Sequence, residues 1–197
     1  MMERLQELIE KIKVLESELS IEIQKKQEEF FYNIKGRRVL FEEATRKYHK
    51  TLVTNVHTYL LNATVLNIVT APIIWACLIP AVFMDLIITV YQAIYFPIYN
   101  IPKVDRSEHI IIDHHDLEYL NIFEKVNCVY CGYFNGMISY VQEVAARTEQ
   151  YWCPIKHARK IKTIHSRYKK FFEYGDADGY KKEFGKVRRD FEDLKDE

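Results

Sequence analysis

The chain has 197 residues, room for one or two modest domains, and its 28 Lys and Arg are balanced by 28 Asp and Glu. A net charge of zero gives no electrostatic basis for nucleic-acid binding, so no nucleic acid is expected among its partners. Four cysteines behind a charged, helix-forming start do not read as the framework of a small secreted protein, nor that start as a signal peptide.

Residues 1–50 read as helix. Leu5, Leu8, Ile12, Leu15 and Leu19 keep to the 3-4 spacing of a coiled-coil seam, which stops where Glu22 and Lys26 take the next seam positions. So short a seam either packs on its own chain or pairs with a second copy, giving a homodimer through the N-terminal helix. Gly36 is a candidate break. Arg37, Arg38, Arg46, Lys47 and Lys50 then make a basic approach to an apolar region.

The charges are absent from the middle of the chain. Between Lys50 and Lys103 lie 52 residues with one charge, Asp85. One helix of that length would run about 78 Å, against a hydrocarbon core of about 30 Å. Residues 51–102 are therefore expected to form a transmembrane hairpin, with spans near Tyr59–Ile79 and Ala81–Ile101, a turn at Pro80 and a kink at Pro72. Basic residues flank only the outer ends, which places both termini in the cytoplasm of a bacterial inner membrane. The polar run Thr51, Asn55, Thr58 and Asn62 reads as helix–helix glue. A carboxylate at the depth of Asp85 requires a partner or a proton, and Gln92 lies two turns on along the same face.

Residues 103–170 are expected to form a cytoplasmic helical module, with a helix opening at Asp113 or Asp116 and another over 137–151. Gly132 and Gly136 allow a turn or close packing. Lys156, Arg159, Lys160, Lys162, Arg167, Lys169 and Lys170 form a basic stretch without an acidic neighbour in sequence, suited to anionic lipid headgroups or to a solvated face. Residues 171–197 read as a charged tail that frays after Gly185. The fold class is thus all-α, membrane-anchored.

Chemistry concentrates in Cys128-Val-Tyr-Cys131 and in Cys153-Pro-Ile-Lys-His157. Two thiolates three residues apart suit a soft metal, and Cys153 with His157 would share a helical face, so the four make a Cys₃His set for zinc or iron. Asp113, His114, His115, Glu118 and Glu124 are further candidate ligands. On one straight helix Cys131 and Cys153 would stand about 33 Å apart, so the pairs would need a fold-back, separate sites or a dimer to meet. Small buried core residues and a redox dithiol are the competing readings.

Cys128-x-x-Cys131-Gly132-Tyr133 resembles the first knuckle of rubredoxins, which hold one iron on four thiolates, and Cys153-Pro154 resembles the start of their second. The fourth cysteine is missing. The longer block from Glu124 through Tyr130-Cys131-Gly132-Tyr133-Phe134-Asn135-Gly136 to Arg147-Thr-Glu-Gln-Tyr-Trp152-Cys153-Pro-Ile-Lys-His157 resembles a family of uncharacterised bacterial membrane proteins. That resemblance covers about residues 80–160 and implies a bacterial membrane location without naming a reaction. The sequence therefore points to an integral membrane protein that serves as a metal-binding or redox-active accessory, or else to a non-catalytic membrane-anchored interaction protein. Nothing resembles a nucleotide-binding loop or a hydrolase triad.

Overall fold

The computed structural model describes residues 2–35 and 38–194. The expected break at Gly36 and the cation Arg37 lie outside the described residues, as do the side chains of Leu5, Leu8 and Ile12. The chain is mostly helical, with elements α1 (Met2–Glu29), β1 (Tyr32–Lys35), β2 (Arg38–Phe41), α2 (Glu43–Thr51), α3 (Val56–Asn62), α4 (Val65–Ala76), α5 (Leu78–Tyr99), α6 (Arg106–His109), α7 (Ile122–Trp152) and α8 (Ala177–Val187). It divides into two compact units, Met1–Asn62 with Asp113–Val126, and Ala63–Ile112 with Asn127–Glu197. These cross the four consecutive stretches read from the sequence.

In the first unit helix does not run to residue 50. It stops at Glu29. Phe31 then takes a left-handed φ of 55°, uncommon for a bulky side chain, and an antiparallel hairpin pairs Tyr32 with Phe41 and Lys35 with Arg38. α2 is tied to the 113–126 segment by Arg46, which donates to Glu118 at 2.6 Å, and by His49, whose ring stands edge-on between Phe41 and Tyr119. Along α1, Leu15 and Leu19 are 62% and 61% exposed, so this half of the seam is not packed on its own chain.

In the second unit the expected turn at Pro80 does not form. Cys77 keeps right-handed helical angles between α4 and α5. Pro80 falls in the first turn of α5, where the missing N–H has no intrahelical use. Val65–Tyr99 is thus one apolar helical stretch of 35 residues, long and apolar enough to cross a membrane; among the described residues it is the one candidate span, in place of two. α5 ends where Asn100 takes φ 55° as a left-handed cap, with Pro102 two residues beyond.

The chain then turns back. Residues 101–112 return along α5, and α7 runs beside α5 in the same direction: the Tyr130 hydroxyl donates to the Ile74 carbonyl, Tyr133 to Asp85, and the Tyr99 ring meets Tyr151. α7 starts later than the Asp113 or Asp116 cap predicts. Residues 114–116 make one 3-10 turn. Asn121 and Glu124 then cap α7 reciprocally, each side chain accepting from the other's backbone N–H at 3.0 and 2.9 Å. From there α7 is continuous for 31 residues through Gly132 and Gly136. The glycines serve contact instead of a turn. A Cβ on Gly136 would lie 2.6 Å from the His109 carbonyl oxygen and 2.7 Å from the Ile110 Cα, and one on Gly132 would lie 3.1 Å from the Ile111 oxygen.

After Trp152 the chain leaves the helix at Pro154, and 153–194 fold back onto the end of α7. Phe171 and Phe191 are buried, the latter in the core with Phe96, Ile101, Val104, Tyr140, Val144 and Tyr151. The stretch expected to fray after Gly185 is therefore packed as far as Leu194. Asp176, in the Gly-Asp-Ala-Asp-Gly run, caps α8 by accepting from Gly179 N–H at 2.9 Å.

Gly136→Ala is expected to cost about 1–3 kcal/mol in chemical unfolding, through overpacking against backbone, although Ala gains up to about 1 kcal/mol in helix propensity. Gly185→Ala, in α8 with open space around it, should be neutral or slightly stabilising. A stabilised Gly136→Ala would mean that the return segment does not rest on α7.

Candidate functional site

The stripe of α5 that faces protein carries two polar residues, Asp85 and Gln92, two turns apart. Both are buried, Asp85 to 8% exposure. Arg106 at the start of α6 donates two bonds to the Asp85 carboxylate, Nε to Oδ1 at 3.0 Å and Nη2 to Oδ2 at 2.6 Å. The Tyr133 hydroxyl adds a third at 2.9 Å and Thr89 a fourth at 3.4 Å. Two buried oxygens accept four donors, the condition under which a carboxylate stays charged out of water.

Gln92 does a different job. Its Oε1 accepts from the Val104 N–H at 3.0 Å, and its Nε2 donates to the Val104 carbonyl at 3.2 Å and to the Tyr140 hydroxyl at 2.6 Å. One amide thus satisfies both backbone groups of a buried residue that belongs to no helix or sheet. Lower on the return, Arg147 of α7 donates through Nη1 to the Pro102 and Lys103 carbonyls, each at 3.0 Å, and through Nε to Glu143 at 2.8 Å. The result is a polar seam from Asp85 to Arg147, running between α5, the return segment and α7.

A second buried cluster holds the C-terminal lobe. Arg167 is 1% exposed. It donates to Gln150 Oε1 at 2.6 Å and pairs in a fork with Asp193 at 2.9 and 3.0 Å. Gln150, fully buried, donates to the Val187 and Asp190 carbonyls. Lys170 joins Asp193 at 2.6 Å. The Arg167 guanidinium, with Lys170 behind it, holds the Asp193 carboxyl well below the usual carboxylate range. The basic stretch 156–170 therefore does have acidic neighbours in space: Arg167 and Lys170 are committed to Asp193, and Lys156 to Glu173.

The cysteine and histidine set is not assembled within the chain. Cys128 is half-buried; Cys131 and Cys153 are exposed, as is Cys77 in the α4–α5 joint, and all four are free thiols. α7 is unbroken from Ile122 to Trp152, so Cys131 and Cys153 lie about 33 Å apart along it. Cys153 and His157 do not share a helical face, because the chain past Pro154 is extended and Lys156 N–H pairs with the Phe172 carbonyl. Of the further candidates, Glu118 is taken by Arg46, which lowers its pKa. Glu124 caps α7. His114 and His115 lie beside Asp113 and Asp116 at 3.2 and 3.4 Å. Among the described residues no group of three or more His, Cys, Asp or Glu converges as a metal site requires.

Fold and seam together define a helical protein with one long apolar helix that is bare on one side and carries a fully bonded polar seam on the other. No family model, curated protein or solved structure matches the chain.

Arg106, Tyr133, Tyr140, Arg147 and Gln150 have seam and clamp roles that sequence reasoning passes over, and Arg167 is read there only as one cation of the basic stretch. The cost of a lone carboxylate in an apolar stretch is the usable signal, since Arg106 is among the first cations after it. Asp85→Asn should destabilise by about 1–3 kcal/mol, Arg106→Gln by a similar amount, and the double substitution by less than the sum. Asn62→Ala, at an exposed site, should stay within about 0.5 kcal/mol. Additive losses in a denaturant titration would mean that Asp85 and Arg106 act independently.

Asp193 gives a pH signature. Its pKa is depressed in the fold, so its contribution is present above the ordinary Asp value of about 3.9 and is lost as pH falls below that toward the folded value. Asp193→Asn should cost about 1–2 kcal/mol at neutral pH, discounted for a carboxylate 37% exposed. The gap in melting temperature between wild type and variant should close as the solution is acidified. A gap that persists unchanged in acid would refute the pairing.

Proposed function

We propose that the chain is a membrane-embedded, non-catalytic interaction protein. α4–α5 crosses a bacterial inner membrane once, and the C-terminal lobe stands in the cytoplasm. The observation that carries this reading is the bare side of α4–α5. Ile79, Val82, Phe83, Leu86, Ile87, Val90, Ile94 and Ile98 are all exposed along α5, and Val65, Leu66, Val69 and Ile73 are exposed along α4. A soluble chain of this size does not leave so long a continuous apolar surface in water. α5 alone, at 22 residues, is about 33 Å long, the thickness of a hydrocarbon core. The one charged group of α5, Asp85, lies on the opposite side, buried in the seam and paired with Arg106.

The candidate working surfaces are then the α1 seam and the α7 cysteine pair. The α1 seam, with Leu15 and Leu19 exposed, is the surface for a second copy. Cys128 and Cys131 sit three residues apart on α7 and supply two thiolates. A zinc or iron held there takes its other ligands from outside this chain, which is how the metal-binding reading stands alongside the interaction one.

Wild-type protein should stay with the membrane fraction through alkaline carbonate washing. Reporter fusions at residues 50 and 103 should face opposite sides, because α4–α5 makes one crossing. Fusions on one side would restore the hairpin, and release by carbonate would exclude insertion altogether. Elemental analysis decides the accessory question: a stoichiometric metal lost in Cys128→Ser but kept in Cys153→Ser places it at the α7 pair alone.

A further inference from the structure

We infer that the loop 156–169 is a binding site for the negatively charged headgroups of phospholipids, built from Arg159, Lys160, Lys162 and Lys169. The inference rests on the membrane reading above and adds the ligand and the residues.

Two facts select these four cations. The lobe 153–194 holds 12 Lys and Arg against 7 Asp and Glu, and the acids that meet the basic stretch 156–170 are taken by its other cations. Asp190 and Asp193 neutralise Arg167 and Lys170, and Glu173 neutralises Lys156. Glu149 and Glu143 of α7, which face the same loop, take His165 and Ser166. Arg159, Lys160, Lys162 and Lys169 remain exposed with no ion-pair partner among the described residues. The sequence run of seven cations is thus divided by the fold into three that hold the lobe together and four that face outward.

Placement supplies the second argument. The loop begins four residues after Trp152, which is 46% exposed and whose ring stands edge-on to Tyr99 at the last turn of α5. Tyr91, Tyr95 and Tyr99 stack in series up to that point. The bare aliphatic side of α5 runs to Ile98, Tyr95 and Tyr99 lie half-buried on its flank near that end, the exposed Trp152 meets Tyr99, and the free cations follow Trp152 in the chain. A bilayer presents acyl chains, a polar–apolar boundary and charged headgroups in the same order. Ile164, 65% exposed within the loop, offers an apolar contact between the cations. The complement of four exposed positive charges on one loop after an aromatic rim is a phosphate diester carried by lipid, and the charge favours phosphatidylglycerol over phosphatidylcholine.

Trp152 is the reporter. In full-length protein carrying Trp75→Phe, so that Trp152 is the remaining tryptophan, quenching by brominated phosphatidylglycerol is compared with quenching by brominated phosphatidylcholine in reconstituted vesicles. Co-flotation with the vesicles is measured on the same samples. A charge beside an anionic surface contributes about fivefold in affinity, so a preference for the anionic lipid is expected that salt weakens. The triple variant Arg159→Gln, Lys160→Gln, Lys162→Gln should lower that preference roughly a hundredfold while still floating with neutral vesicles. Equal quenching by the two lipids in wild type overturns the inference and leaves insertion standing. So does a preference unchanged in the triple variant, or one abolished by millimolar inorganic phosphate, which would make the site one for a free anion. Failure to float with neutral vesicles, together with a salt-sensitive anionic preference that the triple variant loses, would keep the headgroup site and overturn the insertion.

Discussion

A stretch of backbone laid between two helices cannot satisfy its own N–H and C=O groups, and away from water each unsatisfied group costs as much as a lost hydrogen bond. Residues 101–105 are in that position. Gln92 supplies the missing ladder for Val104, donating and accepting in place of a neighbouring strand. Arg147 does the same for the carbonyls of Pro102 and Lys103. Arg106 then carries the segment across to Asp85. Remove these side chains and α5 and α7 have no means of holding a non-helical chain between them. The close approach at Gly136 depends on the same segment lying where it does.

Much of the helical content is legible in the sequence. The apolar run, the charge-free middle and the strongly helical stretch 137–151 come from composition and periodicity, which are local properties. Where structure and sequence part, the cause is shared: the context of a residue decides against its local preference. Pro80 suggests a turn because proline is disfavoured within helices, but its cost depends on position, and in a first turn it is small. Gly132 and Gly136 suggest breaks, yet a glycine missing a Cβ can equally serve a contact from another part of the chain. The hairpin at Tyr32–Phe41 is hidden by the helix-forming residues on both sides.

The candidate site is legible only in half. Asp85 and Gln92 stand out because polar groups in an apolar run need a reason. Apart from Thr89, their partners lie 12 to 48 residues away, and spacing cannot reveal such pairs. The cysteine motif illustrates the opposite case: Cys128, Cys131, Cys153 and His157 are close in sequence, and one unbroken helix keeps the two pairs apart. Likewise the basic run 156–170 looks uniform in sequence, while Arg167 is the most deeply buried cation of the lobe and Lys160 faces out.

The parallel course of α5 and α7 has a consequence for how the second unit assembles. Tyr133 meets Asp85 and Tyr140 meets Gln92 across the same separation of 48 residues, and Thr148 meets Tyr91 across 57. In an antiparallel pair the innermost contact closes a short loop and the rest zip outward from it. Here every contact closes a loop of nearly the same size, so the first one made bears almost the whole entropic cost and the others form at little more. Docking of α7 is therefore expected to be all-or-none along its length, and late, since it waits for both helices and the segment between them.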